Sequence, residues 1–96
     1  MGYVYQDCPE LHQVDELINN YYLKGDYTTC FNGCMTLAKK GYSLAECQVG
    51  WFYLKGEGVP RNLAKALFWT ERALSHGDPD APENLEEIRR LMAKEE

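Results

Sequence analysis

An all-α fold of stacked antiparallel hairpins, five helices in all, is predicted by three features of the chain. Apolar residues recur at spacings of three and four, the helical period, and strand-like alternation is nearly absent. Stop and start signals divide the chain into five pieces. Two glycines that each close a helical pair, Gly41 and Gly77, stand 36 positions apart, within the span of about 20–50 residues typical of stacked repeats.

The first helix is expected from Pro9, since proline suits a first turn. Its apolar stripe is Leu11, Val14, Leu17, Ile18, Tyr21 and Tyr22, and "KGD" at 24–26 ends it. Asp26 is placed to cap a second helix with the stripe Tyr27, Cys30, Phe31, Cys34, Leu37 and Ala38, closed at Gly41. "SLAE" at 43–46 has the form of a capping box, Ser43 capping and Glu46 reaching back. The third helix then buries Leu44, Ala45, Val49, Phe52 and Tyr53 and stops at Gly56. "GEGVP" at 56–60 is a loop. Asn62 caps a fourth helix running through Ala66, Leu67, Trp69, Ala73 and Leu74, and "DAPE" at 80–83 opens a fifth with the face Leu85, Ile88, Leu91 and Met92. Short connections make neighbouring helices antiparallel. The whole of 1–96 is expected to be one domain.

With 96 residues, 45% of them apolar and twelve aromatic, the chain has the bulk for one modest core. A net charge of −5 with scattered Lys and Arg argues against nucleic acid as partner. No window approaches the ~20 apolar residues of a membrane span. The start "MGYVYQDCPEL" lacks the basic and apolar regions of an export signal, so a cytoplasmic location is expected. Four cysteines, Cys8, Cys30, Cys34 and Cys47, invite a disulfide reading. Cys30 and Cys34, however, are four apart on one helix, where bridging strains the backbone. Reduced cysteines filling space in the core are expected.

The stretch "SLAECQVGWFYLKGEGVPRNLAKALFWTERALSHG", 43–77, resembles the Sel-one-like repeat of the tetratricopeptide superfamily. In register are Ala45, Val49 (for Leu), Gly50, Tyr53, Gly56, Gly58, Val59, Lys65, Ala66, Trp69, Ala73 and Gly77, with Asn62 in place of Asp. The preceding 9–41 is closer to a plain tetratricopeptide hairpin. The segment 80–94 begins like a further repeat, with Ala81 and Leu85 in place. It then has Glu86 where Gly is expected and Arg89 where Tyr is expected, as suits a terminal cap. The resemblance implies a short right-handed α-solenoid. It also gives reasons for the small residues: Gly50, Ala66 and Ala73 let paired helices approach closely.

No constellation points to catalysis or to a cofactor. Cys30 and Cys34 with Cys8 and His12 match no usual zinc spacing, and nothing orients a Cys–His nucleophile pair. "GEGVP" lacks the Lys-Ser/Thr of a phosphate loop. Glu83, Glu86 and Glu87 fit a solvated helix face. Secreted family members associated with β-lactams carry regularly spaced cysteine pairs that are missing here. A non-enzymatic role is expected.

What remains is a surface. The resemblance implies a concave face that binds a protein or peptide, lined by Asn20, Lys24, Leu44, Cys47, Trp51, Leu54, Lys55, Glu87 and Arg90. Trp51 is central, because the stripe already uses Val49, Phe52 and Tyr53, and an outward Trp is typical of a binding hot spot. Two alternatives stand beside an adaptor or regulator. One is Trp51 packing against the first or last helix of its own chain. The other is a homodimer completing a core short of three repeats, with Tyr3, Leu11 or Leu54 at the interface. An inhibitor of one enzyme, of bacterial or phage type, is a subset of the first class.

Overall fold

The computed structural model describes residues 9–95, with side chains from His12 onward. Five α-helices follow one another: α1 (Pro9–Asn20), α2 (Tyr27–Lys39), α3 (Ser43–Lys55), α4 (Leu63–Ser75) and α5 (Ala81–Glu95), with a 3-10 turn at Tyr22–Lys24 between α1 and α2. Each packs chiefly on its sequence neighbours, and α3 is the hub, touching α1, α2, α4 and α5. Tyr3 and Cys8 lie outside the described residues, as does the side chain of Leu11.

Local chemistry sets most boundaries. Asp26 accepts from the Thr29 amide at 3.2 Å and Asn62 from the Lys65 amide at 3.0 Å, so both expected caps form. The start of α3 differs. Tyr42, not Ser43, holds the N-cap position, and the Glu46 carboxylate is turned inward instead of back along its own helix. Its two oxygens meet Arg72 of α4 and His76 just beyond that helix, as described below.

Two regions of core result. The first joins α1, α2 and α3 through Val14, Cys30, Phe31, Cys34, Leu37, Ala38, Ala45, Val49 and Phe52. Its aromatic centre stacks edge to face, with Phe31 meeting Phe52 at 5.7 Å and Tyr53 at 5.3 Å, and Tyr22 meeting Phe52 at 5.8 Å. The second lies among α3, α4 and α5, where small clusters form around Cys47, Ala73 and Ala81 and around Leu54, Ala66 and Ile88. As the hub, α3 is buried on several sides at once, which a one-stripe reading understates: Cys47 and Leu54 join the core beside the expected Val49 and Phe52. On α4 the reverse holds. Leu74, expected on the apolar face, is 41% exposed, because Ala66, Thr70 and Ala73 already form the packed line.

Close helix approach is concentrated at Gly50. A β-carbon there would stand 2.4 Å from Thr70 Oγ1 and 3.2 Å from the Ala66 carbonyl oxygen. Thr70 Oγ1 is buried with no hydrogen-bond partner among the described residues, so the α3–α4 seam leaves a hydroxyl unsatisfied in order to close.

The 56–62 loop fastens the two hairpins together. Gly58, at φ +74°, places its α-carbon so close to α2 that a β-carbon would meet the Tyr27 carbonyl at 2.8 Å. Positive φ and lack of space both require glycine. Val59 packs on the first core, and the Tyr22 hydroxyl donates to Glu57 Oε1 at 2.8 Å. That hydrogen bond, with some help from burial, raises the Tyr22 phenol from 10.0 to about 12. A raised phenol pKa means the neutral form is favoured by folding. The bond therefore adds stability in full below pH ~10 and loses it as pH rises towards 12. Tyr22→Phe is expected to lower stability by under about 1 kcal/mol at neutral pH, since the site is half exposed. The gap to wild type in urea midpoints should shrink between pH 10 and pH 12; a gap independent of pH over that window contradicts the assignment.

Candidate functional site

Helices α3 and α5 both pack on α4 but touch one another little, so they diverge and leave an open groove. It is lined by Trp51 and Lys55 from α3 and by Glu83, Asn84, Glu86, Glu87 and Arg90 from α5. Its volume, about 690 Å³, falls within the ~300–1,000 Å³ of ligand-sized concavities. Trp51 is half buried, one side of the indole resting on the Leu54–Ala66–Ile88 cluster. The Lys55 ammonium lies 4.7 Å from its ring centre, a cation–π pair. Arg90 forms an ion pair with Glu87 one turn back on α5.

Of the surface residues expected from the sequence, the structure gathers Trp51, Lys55, Glu87 and Arg90 in this one groove. The others go elsewhere. Asn20 lines a different hollow, between α1 and α2, with Gln13, Glu16, Leu17, Tyr21, Gly33, Thr36 and Leu37. Lys24 is exposed at the end of the 3-10 turn, and Leu44 packs half buried against the first core. Two expectations are corrected: Cys47 is 4% exposed and Leu54 3%, so neither side chain is presented to another molecule. Both point from α3 into the α4–α5 packing, a direction that is outward in one hairpin and inward once α5 is added. Trp51 is likewise partly claimed by its own chain, though not enclosed.

The cysteines behave as core atoms. Cys30, Cys34 and Cys47 are free and buried. Burial raises all three thiols, Cys47 to about 12, where Asn84 donates to its sulfur at 3.3 Å. A thiol held that high is almost fully protonated at neutral pH and a poor nucleophile. Among the described residues, no three His, Cys, Asp or Glu side chains are grouped to hold a metal ion, and no helix is long and apolar enough to cross a membrane. The zinc grouping weighed from the sequence includes Cys8, outside those residues.

Sequence reasoning missed a buried ionic cluster. Glu46 is fully buried, with Oε1 2.7 Å from His76 Nδ1 and Oε2 accepting from Arg72 Nε at 3.3 Å. The guanidinium also lies 5.8 Å from the Phe68 ring and 5.7 Å from that of Trp69. The cluster ties the start of α3 to the end of α4. A signal was present: Arg72 and His76 are four apart on one face of α4, and in an antiparallel hairpin turned near residue 60 that face meets Glu46.

Comparison with known proteins follows the same outline. Residues 43–78 match the Sel1 repeat family model. The chain is 39% identical over 57 residues to the chitin synthase regulator SKT5 of Malassezia restricta, covering 59% of this chain and 4% of that protein. It is 44% identical over 43 residues to the DAP3-binding cell death enhancer 1 of Mus musculus, covering 45% of this chain and 8% of that one. No solved structure matches. The chain thus spans less than a tenth of either relative.

Proposed function

We propose that this chain, which is a Sel1 repeat protein, binds a protein or peptide partner in the groove between α3 and α5 and performs no chemistry of its own. Sel1 repeats are protein–protein interaction modules. One relative is named as a regulator of an enzyme and another as the binder of a protein, which supports a partner-directed role. The observation that carries the reading is Trp51: a half-buried indole at the floor of an open groove, its flank held by Lys55. An aromatic anchored on one side offers contact area with little conformational entropy left to lose, as hot spots do.

The test is a pull-down from source-cell extract with wild type, Trp51→Ala and Lys55→Glu. Trp51→Ala is expected to lose the captured protein, and Lys55→Glu, which takes the cation from the flank of the indole and reverses its charge, to change how much of it is captured. Lys55 is exposed, so its substitution leaves the melting curve unchanged and isolates the groove from the fold. If both variants retain every captured protein, the groove assignment fails. Light scattering bears on the homodimer alternative, for which Leu54 is already unavailable. A dimer that Lys55→Glu dissociates would make a second copy the partner.

A further inference from the structure

The charges lining the α3–α5 groove are of both signs, but they are not equally engaged. Lys55 is drawn over the Trp51 ring and Arg90 is paired with Glu87, so both cations have a partner inside the groove. Glu83 and Glu86 take part in no ion pair among the described residues, and both are exposed. They stand one turn apart on the α5 lip, along the groove from Trp51. Arg89 lines a second hollow with Pro82, Glu83 and Glu86, and its guanidinium is paired with Glu71 on α4 at 3.6 Å. The chain as a whole carries −5. An acidic segment entering here would meet two carboxylates outside any ion pair and, among the described groove residues, no cation without a partner. A basic one would meet two carboxylates and an aromatic floor.

We infer, resting on the groove reading above, that the partner segment is basic: a Lys or Arg side chain pairs with Glu83 and Glu86 while an adjacent apolar side chain lies on Trp51. The two lips divide the work. The α3 side supplies contact area, and the α5 side supplies the sign of charge that is accepted, through complementarity that favours the right partner and repels acidic ones.

Fluorescence anisotropy with three dye-labelled, end-capped peptides of Leu and Ala tests this, the peptides differing only in carrying two Arg, two Gln or two Glu. The Arg peptide is expected to bind about three- to tenfold more tightly than the Gln peptide, the range for two exposed ion pairs, and the Glu peptide most weakly. Glu83→Gln/Glu86→Gln should bring the Arg peptide down to the Gln level. Asp15→Asn/Glu16→Gln, which removes as much charge from α1, should leave it unchanged. Trp51→Ala should weaken all three peptides alike. Binding that depends on Trp51 but not on peptide charge, or that survives the α5 double variant, overturns the basic-partner inference and leaves the groove standing. Binding indifferent to Trp51, or no binding by any peptide, overturns both.

Discussion

Gly50→Leu is expected to abolish the cooperative thermal transition. The α3–α4 seam closes over a glycine whose β-carbon would meet Thr70 Oγ1 at 2.4 Å and the Ala66 carbonyl at 3.2 Å. A side chain with branches has no room there unless the helices part, and parting them opens the Leu54–Ala66–Ile88 cluster as well. Gly50→Ala is the graded form. Alanine gains about 1 kcal/mol of helix propensity over glycine, against about 1–3 kcal/mol for overpacking, so a net loss of roughly 0–2 kcal/mol is expected. Because the nearest obstacle is one hydroxyl with no hydrogen bond to give up among the described residues, Thr70→Ala should restore part of that loss in the Gly50→Ala background. The backbone carbonyl of Ala66 remains, so the rescue is incomplete. A wild-type melt for Gly50→Leu, or strictly additive behaviour of the Ala pair, would contradict the close seam.

Removing both basic partners of Glu46 gives the second large effect. The carboxylate is fully buried, and Arg72 and His76 meet its two oxygens. Stranding a buried charge costs about 3–5 kcal/mol when the whole pair is enclosed. Here the partners are 44% and 40% exposed, so water reaches the vacated side and about 2–3 kcal/mol is the expected loss for Arg72→Ala/His76→Ala. Arg72 also covers two aromatic rings, and that packing would be lost with it. Adding Glu46→Gln to the double variant separates the two effects, since it removes the stranded charge but not the lost packing. Most of the stability should return. Glu46→Leu alone leaves Arg72 and His76 without their buried acceptor, but at 44% and 40% exposure both can turn to water, so a smaller loss than that of the double variant is expected. Urea midpoints decide it: a double variant that unfolds at the wild-type midpoint would show that Glu46 does not depend on these partners.

The helices were legible because each carries its own signals. Asp26 and Asn62 act as caps through bonds to amides three residues ahead, and such local chemistry can be seen in a short window. The α3–α4 pairing was legible too, since Gly50 and Ala66 are small where the two helices meet. What the chain did not disclose is which faces of α3 remain free once α5 arrives. Cys47 and Leu54 lie on a face that is outward in an isolated hairpin and inward in the assembled fold. Glu46 was misassigned for a related reason. "SLAE" satisfies a local rule, but a pair of basic side chains from a distant helix competes for the same carboxylate and wins. Four of the residues read from the resemblance line one groove, while Asn20 lines a hollow between α1 and α2.

The glycine pressed against the backbone of Tyr27 has a further consequence. Surface loops usually tolerate added residues, because closing a longer loop costs little. Between Gly56 and Asn62 that tolerance is forfeited: one extra residue is expected to lift Gly58 from Tyr27 and to part Glu57 and Val59 from the Tyr22 hydroxyl and the first core. A clasp of backbone thus stands where variable sequence would ordinarily be expected.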